Sequence, residues 1–326
     1  DFSEYNDIFL LHNSSGKLNG VKESIFMENI KDYSGRWRWN MVNDFRPQSI
    51  EYSGIKCYPT ANYVNYYGMQ NGYPINDMTK ADAESGYDPT HPWKNRDPRF
   101  YKTIMFDGVK WKSTGGAGGT AELFTGGRES EEANEKKGCF TAYMNSKLCP
   151  QLMNTVDGYK ENNIMILSLM RLADVYLMYA EATAVGYNGP KGKAATYSLT
   201  AEEALNKIRE RAGVAPVLDK FLGSTADFLS ELRRERAVEL SFEGFRFIDL
   251  RRWMLLTQYP YTLKTKIEFD RADPSDYNYD EPEENAIKNL REVVLLERKY
   301  TDRHYWYPLP KKDVSMYEGF YQNPGW

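Results

Sequence analysis

The sequence has few residues of the kinds that bind metals or take part in redox chemistry. Its 326 residues include three histidines and three cysteines, Cys57, Cys139 and Cys149. The cysteines do not have the spacing of a zinc site, and no histidine lies one helical turn from a second ligand. We therefore expect no zinc, although a disulfide between Cys139 and Cys149 is sterically feasible.

Long apolar runs and an excess of basic charge are also missing. No stretch approaches the roughly 20 apolar residues of a membrane-spanning helix, and the net charge of −4 argues against a nucleic-acid partner. No GxSxG, P-loop or HExxH motif occurs, so no nucleophile and base can be assigned. The chain opens at Asp1 on the polar run DFSEYND, without an initiator methionine, and we expect a processed or truncated product.

The character of the sequence changes near residue 166. Residues 1–165 are rich in Gly, Pro, Asn and Tyr, which predicts loops with short strands around 23–30 and 101–106. Residues 166–257 have apolar side chains at three- and four-residue steps, which indicates helices. Residues 258–326 are turn-rich again, so we expect less regular structure there.

Four helices are predicted in the periodic region. Thr200 and Glu203 have the spacing of a capping box, and Gly213 suits the left-handed residue that ends a helix. Gly244 separates the last two helices. The predicted helices span 166–184, 200–213, 224–242 and 245–256. Two antiparallel hairpins of this kind would stack like tetratricopeptide repeats, so the predicted fold class is mainly α, with helical hairpins supporting a large irregular region of loops and short strands.

The stretch 231–253 carries carboxylates and arginines at helical spacings. Glu235, Glu239 and Glu243 fall on one helical face, where two carboxylates could act as in a glycosidase. Arginines three residues away neutralise such carboxylates and lower their pKa, the opposite of what a general acid needs. We therefore predict a structural network and not a catalytic site. Its predicted pairs are Arg171–Asp174, Arg236–Glu239, Glu243–Arg246 and Asp249–Arg252.

Aromatic residues are abundant in the turn-rich sequence between Tyr33 and Trp111, which holds nine Tyr and four Trp. Sugar rings stack their C–H faces on aromatic planes, while neighbouring polar side chains satisfy the hydroxyls. Any single one of these rings could instead belong to the core. The candidate ligand-binding residues are Trp37, Trp39, Tyr63, Tyr66, Tyr67, Tyr73 and Trp111.

Several segments, in the same order along the chain, resemble the SusD/RagB family. They are NRDPRFYKTIMFDG (95–108), LMRLADVYLMYAEA (169–182), ALNKIRERAGV (204–214), LRRERAVELSFEGFRFIDLRRW (232–253), and the ending formed by YPLP (307–310) and QNPGW (322–326). The resemblance implies a single SusD/RagB-like domain over 1–326. Within it, 1–165 would supply ligand-binding loops, 166–257 the helical hairpins and 258–326 a C-terminal packing segment.

The resemblance also implies a function. Family members are surface glycan-binding lipoproteins without enzymatic activity. In polysaccharide utilisation they capture oligosaccharides or polysaccharides for a partner TonB-dependent, SusC-like transporter of the outer membrane. They are typically longer at the N-terminus, with further helices and a lipidated cysteine. This sequence has no counterpart of that part, so we expect the C-terminal portion of such a protein, anchored through a cysteine that is not present here.

Two alternative functions and a possible calcium site remain open. The ligand could be a peptide, as for some relatives, or the protein could be a glycoside hydrolase, which the neutralised carboxylates disfavour. No cofactor is expected, but the acidic loop 270–284 offers oxygen ligands for calcium without the glycine and alternation of an EF-hand loop. We also expect burial of four apolar side chains of the tail, Trp306, Tyr307, Leu309 and Trp326.

Overall fold

The computed structural model describes residues 2, 5–9, 21–29, 58–111, 119–133, 135, 138–148 and 166–326. The helices in these ranges are α1 Tyr5–Phe9, α2 Ala61–Val64, α3 Pro98–Thr103, α4 Leu172–Gly186, α5 Ala201–Ala212, α6 Thr225–Glu239, α7 Phe245–Arg252 and α8 Lys311–Val314. The strands are β1 Ser24–Asn29, β2 Ile104–Met105, β3 Met144–Asn145, β4 Ile166–Arg171, β5 Leu263–Arg271 and β6 Ile287–Glu297. They pair antiparallel as β1–β4, β2–β3 and β5–β6.

Local capping signals set the ends of the longer helices. The hydroxyl of Thr200 accepts a hydrogen bond from the Glu203 backbone N–H, and the Glu203 carboxylate accepts one from the Thr200 N–H at 2.7 Å, so the predicted capping box is confirmed. Gly213 ends α5 with φ of 73°, a conformation that carries no steric cost for glycine. Ser224 caps α6 through the N–H of Asp227.

The helix α4 packs against both α5 and α6. Their common core contains Ala180, Leu205, Phe228 and Leu232, all fully buried. The loop-rich half has a larger core of its own, in which the Trp93 and Phe106 rings stack with centroids 4.9 Å apart. The fold is therefore a helical layer joined to a second core built from loops and short strands.

Two predicted elements, the first helix and the strand at 101–106, are wrong in part. The first helix begins at Leu172 and not at residue 166, because 166–171 pairs as a strand with β1. The strand expected around 23–30 is confirmed as β1. The strand expected at 101–106 is reduced to Ile104–Met105, because Asp97 and Pro98 provide an N-cap and a first helical position for α3.

The C-terminal region is more regular than predicted. Strands β5 and β6 form a long antiparallel pair, and the acidic loop at 272–286 connects them. The expected burial of the tail is wrong for three of its four side chains. Trp306, Tyr307 and Trp326 are 55%, 65% and 43% exposed. Tyr307 and Trp326 pack along arginine side chains, which cover one ring face and leave the rest in solvent.

A ladder of glutamates spaced four residues apart runs along α6 and into the turn after it: Glu231, Glu235, Glu239 and Glu243. All four side chains are at most 4% exposed. We call these four residues the glutamate ladder. A buried carboxylate is strongly unfavourable without a cation and further hydrogen bonds, so each member needs basic partners within the core.

Those partners come from elements that are distant in sequence. Glu239 is paired with Arg99 from α3 at 2.9 Å, with Arg171 from β4 at 2.5 Å, and with Arg211 from α5. Because one carboxylate receives arginines from three elements, it fixes the position of the loop-rich half against the helices.

Three of the four predicted ion pairs are wrong, because their members pair with other residues. Arg236 pairs with Asp174 at 2.7 Å and with Asp249 at 2.8 Å, and not with Glu239. Glu243 binds Lys147 and Arg171, and not Arg246. Arg171 is likewise paired with glutamates and not with Asp174. Only Asp249–Arg252 is confirmed, at 2.8 Å.

Replacing Glu239 with alanine should destabilise the protein strongly. Glu239→Ala removes a carboxylate shared by three buried arginines, and breaking a buried pair from one side costs about 3–5 kcal/mol. The measurement is the free energy of unfolding from urea titrations. The control is Glu210→Ala, whose side chain is 75% exposed and pairs with Lys207 at 3.4 Å, and which should cost less than about 0.5 kcal/mol. Equal losses in the two variants would contradict the structural role of the ladder.

Candidate functional site

The carboxylates of the glutamate ladder do not have the electrostatics of a general acid. Burial alone would raise the pKa of Glu235, but Arg99 and Arg209 outweigh it and hold that pKa at about 2. Burial is likewise outweighed at Glu239 by Arg211, Arg171 and Arg99, so its pKa lies well below the usual range. A glycosidase acid needs a raised pKa and access to the substrate, and these carboxylates have neither.

Two other carboxyl groups do have raised pKa values. Burial raises the pKa of Asp107 and of Glu129. Asp107 is fully buried and paired with Arg271 at 2.7 Å, and Glu129 is buried beside Arg128 at 2.5 Å. Both groups therefore stabilise the loop core and do not face a cleft in which a substrate could lie.

The predicted ligand-binding rings have different placements. Trp37 and Trp39 lie outside the described residues. Tyr67 is fully buried and donates to the Ser241 hydroxyl at 2.7 Å, and Trp111 is 5% exposed within the loop core. A ring in such a position has no face available for a ligand, so these two placements do not fit the prediction.

Three further predicted rings are partly exposed. Tyr63 donates its hydroxyl to the carbonyl of Ala237 at 2.6 Å and packs edge-on against Tyr66, with centroids 5.6 Å apart. Tyr66 itself lines a surface groove. Tyr73 lies under the ammonium group of Lys220, whose nitrogen is 4.3 Å from the ring centroid.

The groove beside Tyr66 has a volume of about 350 Å³. Its lining includes three aromatic rings, from Tyr66, Phe221 and Tyr261. It also includes four basic side chains, Lys220, Arg233, Arg234 and Arg246, and one carboxylate, Glu231. Pro74, Asn76 and Ser230 complete it. We call this surface the arginine groove. It combines flat apolar faces with hydrogen-bond donors, which suits a ligand rich in oxygen atoms.

Hydrogen bonds hold the lining of the arginine groove in place. Arg234 donates to the carbonyl of Tyr66 at 3.0 Å and to that of Gly72 at 3.2 Å. Arg246 donates to the Tyr66 hydroxyl at 2.9 Å, and its guanidinium carbon is 4.8 Å from the centroid of that ring. Gly68 makes the tight path of this segment feasible, because a Cβ there would lie 2.3 Å from the Tyr73 carbonyl oxygen.

A second groove, of about 410 Å³, is lined by the same segment of chain. We call it the amide groove, since Gln70, Asn71 and Asn95 are among its lining residues, with Met69, Ser85 and Gly86. The Asn71 amide donates to the Ser85 carbonyl at 3.0 Å. Residues 66–76 thus contribute side chains to both grooves.

The predicted ligand-binding residues include rings of this segment but none of the basic residues that line the arginine groove. Lys220, Arg233 and Arg246 lie in the helical region, which was expected to be purely structural. One signal was present: Arg233 has no acidic residue three or four positions away on its helix, where Ser230, Leu229, Arg236 and Ala237 stand. An arginine without a partner on its own helix is available for other contacts.

Neither a metal cluster nor a membrane-spanning helix occurs in the described ranges. No three of their His, Cys, Asp or Glu side chains are grouped as metal ligands, and none of their helices has the length and apolar character to cross a bilayer. Calcium binding by the acidic loop stays a prediction. Cys139 is buried and its thiol donates to the carbonyl of Tyr143 at 3.2 Å, while its predicted bridge partner Cys149 lies outside the described residues.

Comparisons with known proteins agree with this architecture. The family model described as the SusD family matches residues 22–326. The chain belongs to the SusD family. This confirms the resemblance noted in the sequence, and it accounts for a helical layer joined to a loop-rich half. No protein with a curated description matches the chain.

Solved structures with the same fold include a SusD-like protein from Bacteroides fragilis. It is 23% identical, covers 99% of this chain and 57% of its own, and has a TM-score of 0.69. A SusD superfamily protein from Bacteroides vulgatus is 20% identical over 78% of this chain and 44% of its own, with a TM-score of 0.50. The chain thus spans about half the length of these structures, and at these identities the likeness shows the fold alone.

The lowered pKa values of the ladder predict that the protein loses stability in acid. The folded pKa values of Glu235, Glu239 and Glu243 lie below the value of about 4.3 expected in the unfolded chain. The stability that they contribute is complete above that value and is lost as the pH falls towards about 2, where Glu235 is protonated in the folded state.

Urea titrations at pH 7, 5 and 3 should therefore give a free energy of unfolding that falls with pH. Glu235→Gln lacks one of the titrating groups and should have a shallower dependence, although it is less stable at pH 7. Glu210→Gln, on the exposed pair, should keep the parental slope. A stability that is the same at all three pH values would contradict the ion pairing of the ladder.

Proposed function

We propose that this protein captures oligosaccharides in the arginine groove at the cell surface. The observation that carries the proposal is the lining of that groove, in which three aromatic rings stand beside arginine, asparagine and serine side chains. Aromatic planes stack on the apolar faces of sugar rings, and the donors bind sugar hydroxyls. The amide groove, lined by the same segment, extends the surface that a longer saccharide could contact.

The scaffold supports this proposal because it holds the binding segment rigidly. Arg234 anchors residues 66–72 to α6, and α6 is itself anchored by the glutamate ladder. A surface that is ordered before the ligand arrives loses less entropy on binding. We infer that α4–α7 act as tetratricopeptide-like hairpins that carry the loops.

The biological setting follows from family membership. Proteins of the SusD family are outer-membrane-associated lipoproteins. We infer that this protein is surface-exposed and lipid-anchored, and that it delivers its ligand to a TonB-dependent, SusC-like transporter. In this role it binds and releases its ligand without chemical change, in keeping with the neutralised carboxylates of the core.

A peptide ligand is the second candidate, favoured by the carboxamides of the amide groove, which match the donors and acceptors of a peptide backbone. A glycan array and a peptide pool, offered to the same purified protein, separate the two candidates. A hydrolase would instead release reducing ends from a polysaccharide, which a colorimetric assay detects. Capture of peptides alone, or release of sugar, would reject the glycan-binding proposal.

Removing one aromatic ring from the arginine groove should weaken glycan binding without unfolding the protein. Stacking on an exposed ring is worth about 1–3 kcal/mol, by analogy with bases stacked on aromatic side chains. Tyr66→Ala and Tyr261→Ala should each lower the affinity for the best glycan of the array by roughly tenfold or more. Isothermal titration calorimetry gives the affinities, and circular dichroism checks the fold.

The matched control is Tyr321→Ala, because Tyr321 is 83% exposed and does not line the groove. It should bind like the parent. Tyr66→Phe tests the ring separately from its hydroxyl, and should keep most of the affinity. If folded Tyr66→Ala and Tyr261→Ala variants bind as tightly as the parent, the glycan is bound elsewhere.

A further inference from the structure

We propose that the arginine groove selects acidic oligosaccharides, and that Arg233 and Arg246 bind the carboxylate or sulfate group of one sugar residue. This inference rests on the proposed function and names the class of ligand. It concerns a local excess of positive charge in a protein whose net charge is negative. Local charge, more than net charge, determines which ions bind in a concave site.

The lining of the arginine groove carries more basic than acidic side chains. Among the described residues of the lining, four are basic and one, Glu231, is acidic. That carboxylate is already bonded to Arg209 in the core and to Arg234, whose Nε lies 2.8 Å away. It has little capacity left to neutralise Arg233 and Arg246. Lys220 pairs with Glu84 at 3.5 Å, so the two arginines are what keeps the groove positive.

Arg233 lacks an anionic partner in the described part of the chain. Its Nε is buried and has no hydrogen-bond partner among the described residues. Within those residues no carboxylate comes within 4 Å of its guanidinium group, which packs over the Trp253 ring at 5.4 Å. A buried donor without an acceptor is costly. Because the Nε is closed off from solvent, a ligand in the groove would instead reach the terminal guanidinium nitrogens, where an anionic oxygen would bind most strongly.

Arg246 is also oriented so that it could bind an anionic group of the ligand. Its hydrogen bond to the Tyr66 hydroxyl uses one N–H of the five that a guanidinium carries. Its guanidinium carbon lies 4.8 Å from the centroid of the Tyr66 ring and 5.5 Å from that of Tyr261. In the described part of the chain it forms no ion pair. The two rings orient the guanidinium, so a carboxylate or sulfate could be bound with little rearrangement.

The neighbourhood of Arg246 is itself rich in positive charge. Burial, together with the charges of Arg298 and Arg246, lowers the pKa of Lys264 to about 8. Burial is the larger cause, and repulsion from the two guanidinium groups adds to it. A bound anion would relieve this repulsion. The amide groove, by contrast, is lined by no charged side chain, so it gives no preference for acidic sugars.

The test compares matched charged and neutral saccharides by calorimetry. The probes are an oligogalacturonate and its methyl ester, and a sulfated carrageenan oligosaccharide and its desulfated form. The acidic member of a pair should bind at least roughly tenfold more tightly, as expected for a charge-assisted hydrogen bond. The pair with the larger difference distinguishes a carboxylate ligand from a sulfate ligand. Raising the sodium chloride concentration should weaken this preference.

Two variants connect the preference to the groove. Arg233→Gln and Arg246→Gln should each remove most of the advantage of the acidic probe, so that the acidic and neutral probes bind each variant with nearly equal affinity. Lys207→Gln is the control: it removes a cation that is 48% exposed on α5, outside the groove, and should behave like the parent. A loss of affinity that is clearly larger for the acidic probe than for the neutral one separates an anion contact from a general change in the fold.

The outcomes separate the two proposals. If acidic and neutral probes bind equally, or if both glutamine variants keep the preference, selection of acidic sugars is wrong while glycan capture stands. If hexaglutamate binds as tightly as the acidic saccharides, the groove recognises charge without a sugar, and the inference is wrong. If only neutral glycans of the array bind, the inference fails alone. If no saccharide of either kind binds, glycan capture fails with it.

Discussion

The compensation of buried carboxylates along α6 is the constraint on which the rest of the structure depends. A glutamate that is fully removed from water must receive cations and hydrogen bonds within the core, and Glu239 receives them from Arg99, Arg171 and Arg211. These arginines belong to a loop-region helix, a strand and a neighbouring helix. The ladder therefore determines how the loop-rich half sits on the helices. The segment at 66–76, held by Arg234, takes its position from the same helix.

The features that were predicted correctly from the sequence depend on residues that are close together along the chain. The capping box at Thr200 and the glycine at Gly213 act within a few residues, so the helix that they bound was predicted closely. Strand β4 was predicted as helix because its partner lies at 24–29, and an apolar run alone does not distinguish a strand from a buried helix. The ion pairs were predicted between neighbours along the chain. A buried carboxylate needs more donors than one neighbouring arginine can provide, and packing supplies them from a distance.

The candidate site shows the same limit at the level of single residues. The aromatic content of 58–74 indicated a segment that lines both grooves, yet Tyr66 and Tyr67 are adjacent and face different surroundings. Tyr66 lines the arginine groove, while Tyr67 is buried against Ser241. Composition cannot separate such neighbours, because the direction of each ring depends on the tight path of the chain around Gly68. The basic side of the groove comes from α6, α7 and the turn at 219–221, far along the sequence, and no local pattern connects these elements to this segment.

Arginine has two roles in this protein. Arginines within ion-pair distance of a carboxylate stabilise the core, and arginines without such a neighbour are available to a ligand. On α6, the ladder at four-residue spacing faces the core and pairs with basic groups there, including Arg234 three residues after Glu231. Arg233 is one position earlier, on a different face of the helix, where no acidic neighbour stands. The periodicity that places every glutamate inside the core thus leaves Arg233 unneutralised beside Arg246 in the groove. The proposed preference for acidic ligands is then a consequence of how the core is stabilised. The carboxylates of α6 pair with cations inside the core, while Arg233, which has no such partner in the described part of the chain, lines the groove.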